Sequence, residues 1–303
     1  MHHSQSLFYF LELRITFPWA ETLKESKCHL EKITVHYETR GEGKPIIMLH
    51  GGAPDRRSMV GCMEPILRKR KGWQRIYLDL PGMGKTPAKE WISNSDQMLD
   101  IVLNFIDAVI PNQSFVLAGD SYGGYLARGI IHHRAQQVDG LLLVCPAIVP
   151  GTKKRELPKH ATLVKEGTLP SNSYPEETKL FESFAVVQTP RIFERTRKEI
   201  LSGIKIADTK FLDRLQAHGY SFSFDVDSHP KFFEKPTLIV VGRQDSMVGY
   251  RDALTILEKY PRATFAVLDR AGHNLQIEQE HLFNALVEEW LDRVAESVKS
   301  KTR

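Results

Sequence analysis

Ser114-Phe115-Val116-Leu117-Ala118-Gly119-Asp120-Ser121-Tyr122-Gly123-Gly124 reads as a strand running into a sharp turn and then a helix. The apolar run Phe115-Val116-Leu117-Ala118 supplies the strand, and residues 122–134 carry a helix-like pattern. Between them Gly119, Ser121 and Gly123 fit G-x-S-x-G. So tight a turn leaves no room for side chains two residues before or after its apex, which is why glycine stands at both places. The turn presents the serine hydroxyl at the end of the strand, the geometry of a nucleophile elbow. The pattern alone arises often by chance; its strand–turn–helix setting gives it weight.

Apolar runs of the kind that form strands buried on both faces recur along the chain. They include Ile46-Ile47-Met48-Leu49, Ile76-Tyr77-Leu78, Leu141-Leu142-Leu143-Val144, Leu238-Ile239-Val240-Val241 and Phe265-Ala266-Val267-Leu268. Residues 33–38 alternate as a further strand should. Helix-like segments lie at 58–71, 95–110, 122–134, 250–259 and 277–298. Strands alternating with helices predict an α/β fold with a mostly parallel sheet covered on both faces. One gap of about ninety residues, between Val144 and Thr237, has no clear buried strand. It is rich in charge and scattered aromatics and reads as a helical insertion on the core. The division expected is an N-terminal extension at 1–30, a core at 31–146 and 231–303, and a helical cap at 147–230.

With 303 residues, 42% hydrophobic and 26% charged, the chain suits one large domain or a core with an insertion. A net charge of +4, from 41 Lys+Arg against 37 Asp+Glu, is too small and too dispersed to argue for nucleic acid. The densest basic cluster, Arg68-Lys69-Arg70-Lys71, reads as a solvated helix end. Cys28, Cys62 and Cys145 are odd in number and lack metal-type spacing, so neither a disulfide framework nor a metal site is expected, and a cytoplasmic protein is. The stretch from Leu7 to Trp19 is apolar and aromatic but carries Glu12 and Arg14. It is too short and too charged to span a membrane, and no Lys or Arg precedes it as in a signal peptide.

A serine hydroxyl needs a base, and the base needs an orienting acid; in a fold of this type they follow in the order Ser, acid, His. His273, in Ala271-Gly272-His273-Asn274, follows the last strand and precedes the last helix, where catalytic loops of parallel sheets lie. Asp245, in Gly242-Arg243-Gln244-Asp245, follows the strand before it. Asp269 is the rival acid but stands only four residues before His273, and Asp245 is favoured. The glycines of His50-Gly51-Gly52-Ala53 let backbone N–H groups face a substrate. Gly52 and Tyr122 are the candidate oxyanion donors.

Together these pieces resemble the α/β-hydrolase superfamily, in the capped serine-hydrolase branch of esterases and prolyl aminopeptidases. The matching residues are His50-Gly51, Asp79-Leu80-Pro81-Gly82-Met83-Gly84, the elbow, Gly242-Arg243-Gln244-Asp245, Gly272-His273, Glu278 and Phe283; Glu280 stands where proline is common. The resemblance implies an α/β-hydrolase fold with eight strands and a helical cap between the sixth and seventh. It also implies Ser121 as nucleophile, Asp245 as acid, His273 as base, and the N–H groups of Gly52 and Tyr122 as the oxyanion hole.

Other readings compete. Gly82-Met83-Gly84-Lys85-Thr86 suggests a phosphate loop, but Asp79 stands where that motif needs glycine, and Pro87 stands where its helix should already run. Asp120 could serve as nucleophile in an epoxide-hydrolase or dehalogenase manner, yet the glycines at 119 and 123 are centred on Ser121. Prolyl aminopeptidases share His50-Gly51-Gly52 but continue with proline and glycine, where this chain has Ala53-Pro54-Asp55. Their cap carboxylates would find counterparts in Glu176, Glu177 and Glu182, which read more simply as a solvated helix face. A non-catalytic binding module on a hydrolase fold is the second class, and a complete Ser-His-Asp set argues against it. The expectation is therefore a serine hydrolase that cleaves a small, partly apolar carboxylic ester or related acyl compound without metal or organic cofactor. Phe181, Phe184 and Phe222 of the cap are expected to line its pocket.

Overall fold

The computed structural model describes residues 24–228 and 232–301. Most of the 1–30 extension, and the point near Pro230 where the cap was expected to return to the core, lie outside the described residues. Eight strands form one sheet in the order β1-β2-β4-β3-β5-β6-β9-β10. They are β1 (Lys24–His29), β2 (Thr34–Arg40), β3 (Lys44–Leu49), β4 (Trp73–Leu78), β5 (Phe115–Asp120), β6 (Val138–Val144), β9 (Thr237–Gly242) and β10 (Ala263–Leu268). β1, β2 and β4 pair antiparallel, and every other neighbour pair is parallel. β5, β6 and β9 are buried along their whole length, as continuous apolar runs require.

Helices α1 (Arg57–Leu67), α2 (Ser95–Val109), α3 (Tyr122–Arg134) and α10 (Glu280–Lys301) cover the sheet. α2 starts where it does because the Asn94 side chain accepts the N–H of Gln97 at 3.0 Å, and Asp96 in its first turn suits the positive end of the helix. β3 pairs with β4 on one side and β5 on the other. The chain therefore switches direction across the sheet at β3/β5, and the loops at their carboxyl ends flank a crevice.

Three expectations change. The extension does not reach residue 30, because Lys24–His29 is the edge strand β1; its polar sequence and one-sided burial gave no apolar run to read. The insertion is helical in α4 (Pro175–Phe184), α5 (Pro190–Thr196), α6 (Ser202–Ile204) and α7 (Thr209–His218). It also holds a two-stranded parallel pair, β7 (Val164–Lys165) with β8 (Val187–Gln188). The helix expected at 250–259 is a short α8 (Arg251–Leu254) and a separate 3-10 turn, and the last helix is interrupted at Gln279, which separates α9 (Leu275–Glu278) from α10.

Candidate active site

Ser121 stands at the tip of the β5–α3 turn with φ +51° and ψ −113°. A non-glycine residue held there costs about 1–3 kcal/mol, and the surroundings enforce it. Its N–H donates to Val144 O (2.9 Å), and its carbonyl accepts from Tyr125 N (3.1 Å) and Ala147 N (3.0 Å). A Cβ on Gly119 would lie 2.4 Å from Gly123 O, and one on Gly123 would lie 2.3 Å from Leu49 O. Both glycines are thus steric requirements of the elbow. Ser121 occupies the N-cap of α3 yet makes no capping bond, so its hydroxyl is left for another partner.

That partner is His273. Its Nε2 lies 3.0 Å from Ser121 Oγ, and its Nδ1 lies 2.8 Å from Asp245 Oδ2. The other carboxylate oxygen of Asp245 accepts the N–H groups of Met247 (2.8 Å) and Val248 (3.0 Å). Burial pushes the Asp245 carboxyl up, but His273 and those two N–H groups outweigh it and hold it below the usual range. Burial likewise depresses His273, and the charge and hydrogen bond of Asp245 more than reverse this, so its pKa is raised. Asp269 is exposed on the turn after β10 and has no bond to His273.

Gly52 and Tyr122 flank Ser121: a Cβ on Gly52 would touch the Cβ of Tyr122 at 3.7 Å. Tyr122 opens α3, so its N–H has no acceptor within the helix and lies at the positive end of the dipole. The loop is anchored by His50, whose Nδ1 bonds Gly51 O at 2.7 Å while Nε2 accepts the N–H of Leu80 at 2.9 Å. Burial keeps His50 easily deprotonated, as an accepting Nε2 requires. The Asp79–Gly84 segment is thereby explained as a brace rather than a phosphate loop. Asp79 accepts from Arg56 and from Lys85 N, while Lys85 Nζ pairs with Glu25 at the surface.

Asp120 has no hydrogen bond to His273, whose two ring nitrogens face Ser121 and Asp245. It is buried against Gly51 beside Ser121, and burial raises its carboxyl to about 6. Cys145, Asp245 and His273 bring potential metal-ligand atoms within 4.8 Å of one another. Both nitrogens of His273 are already engaged, so ligation there would dismantle the Ser121–His273–Asp245 series.

A cavity of about 530 Å³ opens over Ser121 and His273, between core and insertion. Its wall is largely apolar, with Leu180, Phe184, Ile204, Leu212 and Met247 among its residues. Of the three expected aromatics, Phe184 lines it and two do not. Phe181 is fully buried inside the insertion, edge-on to Phe193 at 5.4 Å. Phe222 stacks between Tyr125 (4.3 Å) and Phe224 (4.8 Å) over Gly129, and so fixes the insertion to α3. Glu176, Glu177 and Glu182 do not face the cavity. Arg155, at the start of the insertion, does, and no motif singles it out.

Glu278 adds a tie the sequence marks without explaining. One oxygen accepts the N–H of Val186 (2.7 Å) and Val187 (3.2 Å) in the insertion; the other accepts the N–H of Gly272 (2.6 Å), next to His273.

The sheet order, the elbow and a hydrogen-bonded Ser-His-Asp series beneath an inserted cap define the α/β-hydrolase class. Within it the chain belongs to the serine aminopeptidase S33 family, whose model matches residues 44–280. A 2-hydroxy-6-oxononadienedioate/2-hydroxy-6-oxononatrienedioate hydrolase of Pseudomonas putida is 26% identical over 267 residues, 86% of this chain and 92% of that one. A pimeloyl-[acyl-carrier protein] methyl ester esterase of Legionella pneumophila is 22% identical over 86% of this chain and all of its own length. An α/β-superfamily hydrolase of Oenococcus oeni superposes with a TM-score of 0.81 at 34% identity, over 86% of this chain and 96% of its own. Among the described residues no helix is long and apolar enough to cross a membrane.

Proposed function

We propose that the protein is a serine hydrolase that cleaves small, partly apolar carboxylic esters through an acyl-enzyme. The observation that carries this reading is the series Ser121 Oγ–His273 Nε2 at 3.0 Å and His273 Nδ1–Asp245 Oδ2 at 2.8 Å, opening onto an apolar cavity. Ser121 Oγ attacks the ester carbonyl while His273 Nε2 takes its proton. The carbonyl oxygen becomes an oxyanion held by the N–H groups of Gly52 and Tyr122. His273 then protonates the departing alkoxide, and the alcohol leaves. Water, deprotonated by His273, hydrolyses the acyl-enzyme and frees Ser121. Asp245 keeps His273 in the right tautomer and stabilises its cationic form.

The esterase among the relatives supports this choice. The relative named as an oxononadienedioate hydrolase favours testing a keto acid with the same residues. Glu176, Glu177 and Glu182, the counterparts expected for amine-binding carboxylates, are not among the residues that line the cavity, which favours the ester over the aminopeptidase reading. The buried, unpaired thiols of Cys28, Cys62 and Cys145 support a reducing compartment such as the cytoplasm.

The test is steady-state hydrolysis of a panel of short-chain esters, keto acids and aminoacyl arylamides. Esters should be turned over, and Asp245→Asn should lower kcat by about 10⁴. Turnover of the arylamides alone, or a larger loss from Asp269→Asn, would overturn the assignment.

A further inference from the structure

Arg155 is a cation on the cavity wall. Its Nε donates to Val149 O (2.8 Å), Nη1 to Met247 O (3.0 Å) and Nη2 to Pro150 O (3.4 Å). Its guanidinium carbon lies 5.7 Å from the ring centre of Tyr220. Met247 and Tyr220 themselves line the cavity, so the guanidinium is held between two of its walls. Among the described residues no carboxylate pairs with Arg155, although most other arginines of the chain have such a partner. Its charge is felt at the reacting centre, where it opposes protonation of His273.

The backbone carbonyls fix the guanidinium in place but do not neutralise it. They use three of its five N–H donors, and a planar fork with donors to spare suits a carboxylate. Two carboxylates share the wall, and neither forms an ion pair with Arg155 among the described residues. Asp213 is exposed to solvent, where its charge is screened, and Asp120 lies beside Gly51 and Ser121, where its charge acts on His273.

We infer that Arg155 is an anion-recognising side chain of the substrate pocket, and that the preferred acyl compounds carry a carboxylate distal to the bond that is cut. This rests on the hydrolase reading above and names the substrate class for it. The apolar wall would hold the chain between the two ends, and the fixed guanidinium would select the charged end at little entropic cost.

The experiment compares monomethyl with dimethyl esters of straight-chain dicarboxylic acids from succinate to suberate, at pH 8, in the parent, Arg155→Gln and Arg155→Lys. The parent should favour the half-ester of the best-fitting length by about tenfold or more in kcat/KM. Arg155→Gln should lower kcat/KM for that half-ester by about 10- to 100-fold more than for the diester, and Arg155→Lys should restore part of that difference. An equal loss for both esters would mean that Arg155 only clamps the loop, and a parent without preference would overturn the inference outright. A second readout does not need turnover: free dicarboxylates should slow labelling of Ser121 by a fluorophosphonate in the parent and not in Arg155→Gln, while the matching diamides should slow neither. Labelling with such protection but no ester hydrolysis would remove the ester reading and leave the anion site standing. Labelling without protection would remove the anion site.

Discussion

Burial lifts the carboxyl of Asp120 from its ordinary 3.8 to about 6; the charge of Asp245 adds to this, and His273 and the Gly51 backbone oppose it. Two effects follow. Once ionised, Asp120 raises the pKa of His273, which burial alone would lower. The acid limb of kcat/KM should therefore fall above the ordinary imidazole value of 6.5 in the parent, and Asp120→Asn should move it to lower pH. An unmoved limb would show that the two groups do not communicate. The second effect is on stability. The folded state binds this proton more tightly than the unfolded chain, so stability falls as pH climbs from 3.8 to about 6. Asp120→Asn should gain about 2–3 kcal/mol in urea unfolding at pH 8 and nothing near pH 3; an equal gain at both would contradict a charge origin. Sequence alone marked Asp120 merely as a rival nucleophile, because burial is not written in a dipeptide. The same blindness explains Phe181 and Phe222: their aromatic character was legible, but not that one faces the insertion's own interior and the other a ring on α3.

At the scale of elements, Glu278 joins the β8 edge of the insertion to the loop that carries His273, with both carboxylate oxygens occupied by backbone N–H donors. Gln keeps the volume but turns one oxygen into a donor, which must then face an N–H. Glu278→Gln should cost about 1–3 kcal/mol of stability. It should also slow fluorophosphonate labelling of Ser121 about tenfold and displace the acid limb of its pH profile. Lost stability with labelling and pH profile unchanged would reduce Glu278 to a structural brace. The core strands were legible because they are continuous apolar runs, and His273 because it follows one of them. β1 was not, since Lys24-Glu25-Ser26-Lys27-Cys28-His29 buries one side chain in six positions. Nor was the break at Gln279, which ends α9 where Glu278 turns inward, a tertiary demand that overrides helical periodicity.

For the whole molecule, the order of the sheet places the β3 and β5 loops side by side at its switch point, and the β9 and β10 loops bring Asp245 and His273 to the same edge. Residues separated by 152 positions in sequence meet there at 3.0 Å. Those residues could be singled out from strand order and motif because each stands just after a strand end. The insertion resisted, since it packs through a small apolar cluster shared with Ile277 of α9 rather than by any repeating pattern. This assembly should activate Ser121. Intact-mass analysis after exposure to a fluorophosphonate tests it most directly, with the parent, Ser121→Ala and His273→Ala, all shown to be folded. One adduct is expected on the parent, none on Ser121→Ala, and labelling of His273→Ala slowed about a thousandfold. No adduct on the folded parent, or an adduct that persists in Ser121→Ala, would contradict it.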